Sequence, residues 1–323
     1  MADSTSYKFL TMGDSYVGSL LATTTNFWLQ NKCEDNVFNT TPFLSAMYKK
    51  ARKAPGGSSI VIPILYEINA TSQWYSKYDP LDVSPQEGMT LAQALWKSLA
   101  TSISISGEEE AMHSGNERMA GLLEAKMEQA ELSMKRQLTT SLFSATTATK
   151  AIQCMTTMVD ATSTIQEINS TSNSWWQSTA TTGGSFAAQG LSDMRTTHST
   201  LGKYTPENNI DMIATTPTVL DYYEASLTPQ TRYTNDNRNL EGSVESLRFR
   251  TATVFSEPNC TSGVMYMFPS QNLYMVLLSN SDMKKTEFVK PANQDCRTAQ
   301  IILRCNMVTN ARRKLGKIVS ISA

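Results

Sequence analysis

Charge is scarce in this chain. Asp, Glu, Lys and Arg make up 18% of its 323 residues against 40% hydrophobic residues, and Ser, Thr, Asn and Gln fill much of the difference. Such a composition suits surfaces covered by neighbours better than freely solvated ones. Excess positive charge is lacking too, the formal net charge being −1. That excludes a protein whose own field holds nucleic acid, because phosphate binding needs clustered Lys and Arg; contact that does not read sequence is left open. Cysteine is limited to Cys33, Cys154, Cys260, Cys296 and Cys305. Their odd number and the lack of CxxC or Cys/His zinc spacing point to free thiols in a reducing compartment and to no metal site. No apolar run approaches the ~20 residues of a membrane span, and residues 1–21 lack the basic-then-apolar order of a secretion signal, so a soluble protein made in a cytoplasm is expected.

Catalytic motifs are nearly missing. There is no Walker loop, no GxGxxG after a strand, no GxSxG elbow and no HExxH, so no cofactor is expected. Gly13-Asp14-Ser15, after Tyr7-Lys8-Phe9-Leu10, resembles the opening block of the GDSL serine hydrolases, with Ser15 in the place of the nucleophile. That chemistry also needs a base and oxyanion donors. The two histidines, His113 and His198, do not supply the family's late Asp-x-x-His: Asp193 lies five residues before His198, and His113 has Glu110 before it. Tyr233-Thr234-Asn235-Asp236 lacks the glycine of the oxyanion block. The chain therefore reads as a non-enzyme, with a hydrolase using Ser15 as the alternative. Glu108-Glu109-Glu110 fan around a helix start, where negative charge complements the helix dipole.

What the sequence does have is concentrated in residues 55–143, an apolar hairpin followed by a long amphipathic helix. A two-stranded ribbon is marginally stable alone in water, so a chain that builds one is expected to lay it across another molecule. Residues 1–41 read as an extended arm with a short helix near 20–29. Pro42 opens a helix capped by Thr41, with Phe43, Leu44, Met47 and Tyr48 on one face. From Ser58 to Tyr66 the residues Ile60, Val61, Ile62, Ile64 and Leu65 predict a strand apolar on both faces, and Pro63 places it at an edge or bulge. Residues 74–79 with Leu81 and Val83 are the candidate returning arm.

A strand is favoured over residues 96–105. Asn116 then caps a helix over 117–143 whose apolar series Met119, Leu123, Met127, Ala130, Met134, Leu138, Leu142 steps by three or four, with Glu131 and Lys135 paired on its wet side. Residues 144–205 predict short helices and loops. Beyond them come a strand over 210–214, a helix from Pro217 to Ala225, strands near 246–255, 264–268 and 273–278, and a closing hairpin of 298–308 with 317–321.

This order of elements resembles the major capsid proteins of tailed bacteriophages, the HK97-type fold. The residues that carry the likeness are Ile68-Asn69-Ala70-Thr71, Trp74-Tyr75-Ser76, Tyr78-Asp79-Pro80-Leu81, Trp96-Lys97, Ser106-Gly107-Glu108, His113-Ser114-Gly115, Asn116-Glu117-Arg118 and Leu122-Leu123-Glu124. A second block follows in order: Met212 to Pro217, Tyr222-Tyr223-Glu224, Gln230-Thr231-Arg232-Tyr233, Val264-Met265-Tyr266-Met267 and Pro291-Ala292-Asn293-Gln294-Asp295.

The resemblance implies an α+β fold with residues 1–54 as an N-terminal arm, 55–88 as an extended β-hairpin loop, 89–144 as a peripheral domain with a spine helix, 145–295 as mainly an axial domain with returning peripheral strands, and 296–323 as a C-terminal β-hairpin of the peripheral domain. It implies self-assembly into hexamers and pentamers of an icosahedral shell around double-stranded DNA, in a virion made in a host bacterial cytoplasm. Scaffold, portal and decoration proteins and non-specific contact with packaged DNA are the implied partners, without a membrane. On this reading Ile62, Ile64, Trp74, Tyr75, Tyr78, Asp79, Arg312 and Arg313 are candidate subunit-interface residues. Trp74, Tyr75 and Tyr78 are the expected anchors, since aromatic residues dominate interface cores, and Arg312 and Arg313 are placed at an exposed hairpin tip.

Overall fold

The structure, a computed structural model, describes residues 42–112, 116–205, 210–227 and 247–323. The expected arm with Gly13-Asp14-Ser15, the Thr41 cap, His113 and residues 233–236 lie outside the described residues. In chain order the elements are α1 (Pro42–Lys49), β1 (Arg52–Ala54), β2 (Ser59–Leu65), β3 (Met89–Leu95), β4 (Lys97–Ser106), α2 (Gly107–Met112), α3 (Asn116–Leu142), α4 (Met155–Met158), β5 (Thr164–Ile165), β6 (Ile168–Asn169), β7 (Thr179–Thr182), α5 (Leu191–Gly202), β8 (Met212–Thr215), α6 (Pro217–Leu227), β9 (Arg248–Phe249), β10 (Ala252–Ser256), β11 (Met265–Phe268), β12 (Leu273–Leu278), β13 (Lys284–Lys285), β14 (Cys296–Thr309) and β15 (Gly316–Val319). Two compact units result: Ala100–Met134 with Lys285–Ile302, and Asn39–Leu99 with Lys135–Lys284 and Leu303–Ala323.

The larger unit is built on a six-stranded sheet of order β7-β15-β11-β8-β10-β9. Every residue of β8 and β11 is buried, apolar but for Thr215 in β8, the pattern of central strands. Met194 and Leu201 of α5 and Val219 and Tyr223 of α6 join Ile213, Met265, Met267 and Ile318 in one core cluster. Gly316 permits the close approach of α5 to β15, since a Cβ there would meet Leu201 Cδ1 at 2.8 Å. In α1, Pro42 presets the first helical turn, and Phe43, Leu44 and Met47 are buried. The Phe43 ring packs against Phe143, Phe255 and Phe268 with centroids 5.3, 6.3 and 5.9 Å apart. Beside this, β1 runs parallel to β12, and β12 runs antiparallel to β14 from Leu273↔Thr309 to Leu277↔Cys305.

In the smaller unit β4 leads into α2 through a capping box. Ser106 Oγ accepts the Glu109 backbone N–H and Glu109 Oε2 accepts the Ser106 N–H, each at 3.1 Å. The same carboxylate oxygen holds Lys126 Nζ at 2.7 Å, both side chains being buried, and Lys126 also donates to the Ser104 carbonyl at 3.0 Å. Glu109 is thus a cap and an ion-pair partner at once, more than the favourable first-turn charge expected of it. Glu131, expected beside Lys135, forms its ion pair with Lys285 at 2.9 Å. Along α3 the stripe Ala130, Met134, Leu138, Leu142 is buried as its spacing predicts.

Two expectations fail here. β14 and β15 do not form the closing hairpin: β14 pairs with β12, whereas β15 pairs antiparallel with β11 and parallel with β7. The connection between them carries the buried Arg312, which turns the chain from one sheet into the other. The returning arm of the ribbon is also misplaced, because β2 pairs with β3, residues 89–95, and not with 74–83. The latter segment satisfies its polar groups locally, as described next, and forms no ladder.

Candidate assembly surface

Strand alternation decides which side of the ribbon faces the body. The register from Ser59↔Leu95 to Leu65↔Met89 puts Ile60 opposite Ala94, Ile62 opposite Ala92 and Ile64 opposite Thr90 on one face. That face is covered: Ile60 and Ala94 pack with Tyr274, Val276 and Val308, and Ile64 and Ala92 pack with Ile168 and Trp176. The opposite face carries Val61, Pro63, Leu65, Met89, Leu91 and Leu95, and all of them are exposed. Leu65 is 74% and Leu91 64% accessible, against 6% for Ile64. Pro63 lacks an N–H and sits opposite Leu91 in a two-stranded sheet, as its edge position requires.

Residues 66–88 form the irregular tip of this ribbon. Asn69 Oδ1 accepts from the Thr71 N–H at 2.9 Å, Asp79 Oδ2 from the Ser76 N–H at 2.8 Å and Asp82 Oδ1 from the Ser84 N–H at 2.9 Å. These local turns give the backbone an alternative to a sheet ladder. The hydrogen bonds from the Ser84 hydroxyl and backbone hold the Asp82 carboxyl below its ordinary range. With the polar groups served within the loop, Trp74, Tyr75, Tyr78, Leu81 and Val83 project into solvent, Trp74 fully so.

The interface candidates therefore separate. Trp74, Tyr75, Tyr78 and Asp79 lie on the exposed loop. Ile64 is buried and Ile62 half-buried against the chain's own body, a correction that follows from the two-residue period: the exposed positions of β2 and β3, namely Val61, Pro63, Leu65, Met89, Leu91 and Leu95, are all odd-numbered. Apolar content on both faces was the signal present in the sequence; which face stays open needs the register.

Arg312 is the second correction, since it is wholly buried and far from being an exposed tip. Its Nε donates to the Met158 carbonyl at 3.0 Å and its Nη2 to the Thr157 carbonyl at 2.9 Å and Ser163 Oγ at 2.7 Å. Its Nη1 serves the Ser163 carbonyl at 2.6 Å and Ser170 Oγ. Burial pushes its pKa down to about 10 against the opposing pull of the Asp160 charge. The planar fork of donors is what lets one side chain tie residues 157–170 to the end of β14. Arg313 is exposed, its guanidinium 4.3 Å from the Tyr204 ring centroid.

Of the residues weighed for a hydrolase, Asp193 and His198 lie among the described ones. His198 lies buried in α5, its Nδ1 receiving a hydrogen bond from Arg250 at 2.9 Å, and burial together with the Arg250 charge keeps its pKa low. Among the described residues no group of three or more His, Cys, Asp or Glu is placed to hold a metal ion, and no helix is long and apolar enough to cross a membrane.

No family model and no curated protein matches the sequence. Solved structures do match in fold. The capsid asymmetric unit of cyanophage A-1(L) superposes with a TM-score of 0.62 at 14% identity, over 91% of this chain and 98% of that one. The capsid of an empty GTA particle gives 0.59 at 9% identity, over 93% and 98%. The holo-SrpI encapsulin complex of Synechococcus elongatus PCC 7942 gives 0.57 at 9% identity, over 90% and 93%. This chain thus has the α+β fold that phage capsid and encapsulin subunits share, the HK97-type fold.

Proposed function

We propose that this protein is the major capsid protein of a tailed bacteriophage, assembling into hexamers and pentamers of an icosahedral shell around double-stranded DNA. The observation that carries the reading is the uncovered apolar side of the β2–β3 ribbon, continuous with a loop that points Trp74, Tyr75 and Tyr78 into solvent. Contiguous apolar surface of this kind marks an interaction site, and aromatic side chains are the usual anchors of interface cores. The likeness in fold to capsid subunits over nearly the whole chain supports the same reading.

On it, residues 55–88 together with β3 lie over an adjacent copy, α3 serves as the spine of a peripheral domain, and the six-stranded sheet with α5 and α6 belongs to an axial domain. Of the residues expected to form the arm, 42–54 instead pack into the larger unit as α1 and β1, and Asp79 and Arg313 take polar contacts at the subunit boundary. Scaffold, portal and decoration proteins are the further partners, and the virion is the site of action. Apolar burial between copies contributes on the order of 25 cal/mol per Å² before ordering costs are subtracted.

Deletion of residues 72–78 tests the loop. The subunit is expected to fold, with no closed shells in negative-stain images; shells of normal yield and stability would refute the assignment. The encapsulin neighbour supports a second reading, a shell without a genome. Nuclease-protected DNA in particles purified from infected cells separates the two.

A further inference from the structure

The exposed loop joins the ribbon through a narrow neck, and one side chain holds both sides of it. The Tyr66 N–H donates to the Gly88 carbonyl at 3.0 Å, and the Tyr66 hydroxyl donates to the Glu87 carbonyl, also at 3.0 Å. The two strands of the neck approach closely, for a Cβ on Gly88 would meet the Glu67 carbonyl oxygen at 3.0 Å. The Tyr66 ring is stacked on Trp175, with centroids 5.2 Å apart and planes inclined by 25°. Trp175 in turn lies against Trp176, at 5.7 Å and 59°. Trp176 is buried among Ile64, Ala92 and Ile168, and its indole N–H points to the Ile165 carbonyl at 3.4 Å. A chain of aromatic contacts therefore runs from the core of the larger unit to the residue that closes the loop's base.

We propose that Tyr66 and Trp175 form a positioning clamp that sets the direction in which residues 67–88 leave the ribbon, and through it the angle between neighbouring copies of this chain. The inference rests on the shell reading above. Its physical basis is leverage. The loop is organised by its own short-range hydrogen bonds, so its orientation relative to the body is decided where it is attached. A rotation at the neck displaces Trp74 and Tyr78 at the far end much more than it displaces Tyr66. Head-to-tail contacts close into rings only when the rotation between copies fits, so an error in this direction changes which closed assembly forms. Stacked aromatic pairs prefer a defined offset and inclination, which makes such a pair a directional support as well as an apolar contact.

The test compares full-length wild type with Trp175→Ala, Trp175→Phe and Tyr66→Phe, all under conditions where wild type forms shells. Thermal melting of unassembled subunits reports folding, and imaging reports the distribution of particle diameters. Trp175→Ala is expected to keep a cooperative melt and to lose single-sized shells in favour of mixed diameters and open sheets. Trp175→Phe restores a stacking ring and is expected to recover the wild-type diameter. A contact that merely stabilised the fold would lower the melting temperature and leave the diameter unchanged, and that result overturns the clamp. If Trp175→Ala does not fold, Tyr66→Phe decides: it retains the ring and removes only the donation to Glu87, so broadened diameters support the clamp and unchanged diameters overturn it. If no condition yields particles from wild type, the shell reading is overturned and the clamp with it. Normal shells from wild type and from every variant overturn the clamp alone.

Discussion

Ile60, Ile62 and Ile64 alternate along β2 with Val61, Pro63 and Leu65, and the two sets differ little in hydrophobicity. The first set lies against residues of the same chain, from Tyr274 to Trp176, while the second, with Met89, Leu91 and Leu95 of β3, meets solvent in the single chain. Hydrophobicity alone therefore states that a surface is to be covered without stating by which molecule. The inner face contributes to folding of the subunit. The outer face, on the proposed reading, contributes to association and costs nothing when the subunit is alone except solubility.

The sharpest way to break this contrast is to loosen the floor beneath the inner face. Arg312→Ala leaves the carbonyls of Thr157, Met158 and Ser163 without their buried donor. It is expected to cost roughly 3 kcal/mol or more in chemical denaturation of the unassembled subunit. Arg312→Lys should recover only part of that, because an ammonium lacks the planar fork. Next comes Ile64→Ala, expected to cost about 2–4 kcal/mol through lost burial and a residual cavity against Trp176.

A smaller effect is set by pH. Burial opposes ionisation of Asp160, but hydrogen bonds from Lys317 and Thr162 and the Lys317 charge bring its pKa down to about 2. The folded state thus favours the ionised form. Its contribution is fully present above the ordinary carboxyl range and is lost as pH falls from about 4 toward 2. Wild type should lose on the order of 1 kcal/mol more stability across that window than Asp160→Asn, once screening at a partly exposed site is counted. The smallest change in folding belongs to the outer face. Leu91→Ser is expected to alter subunit stability by no more than about 0.5 kcal/mol while abolishing shell formation. A cost equal to that of Ile64→Ala would show that the outer face already belongs to the subunit's own core.

Much of the local structure was legible from pattern. β12 spans Leu273–Leu278 as read from its apolar run, α1 begins at Pro42, and α3 ends within one residue of its expected limit. These elements announce themselves through period and punctuation, which depend on neighbours a few residues away. Residues 74–83 misled because aromatic and β-branched residues favour strands as well as exposed contacts. Asp79 and Asp82, which bind backbone N–H groups two or three residues from themselves, turned the segment into a loop. β14 and β15 looked like a hairpin because two apolar strands flank a short polar connection. The buried fork of Arg312 and the packing of Gly316 on Leu201 carry the chain into a different sheet instead.

By itself the sequence determined the main helices and apolar strands, though not the loop at 74–83, and that residues 58–66 carry more apolar surface than one covered face requires. Only the tertiary structure decided the partner of β2, the inward face of the ribbon, the burial of Arg312 beside the exposed Arg313 and the capping role of Glu109. Those outcomes depend on register and on donors and acceptors brought together from distant parts of the chain. Moving a strand by one residue exchanges its faces without altering its composition, so composition and periodicity cannot distinguish them.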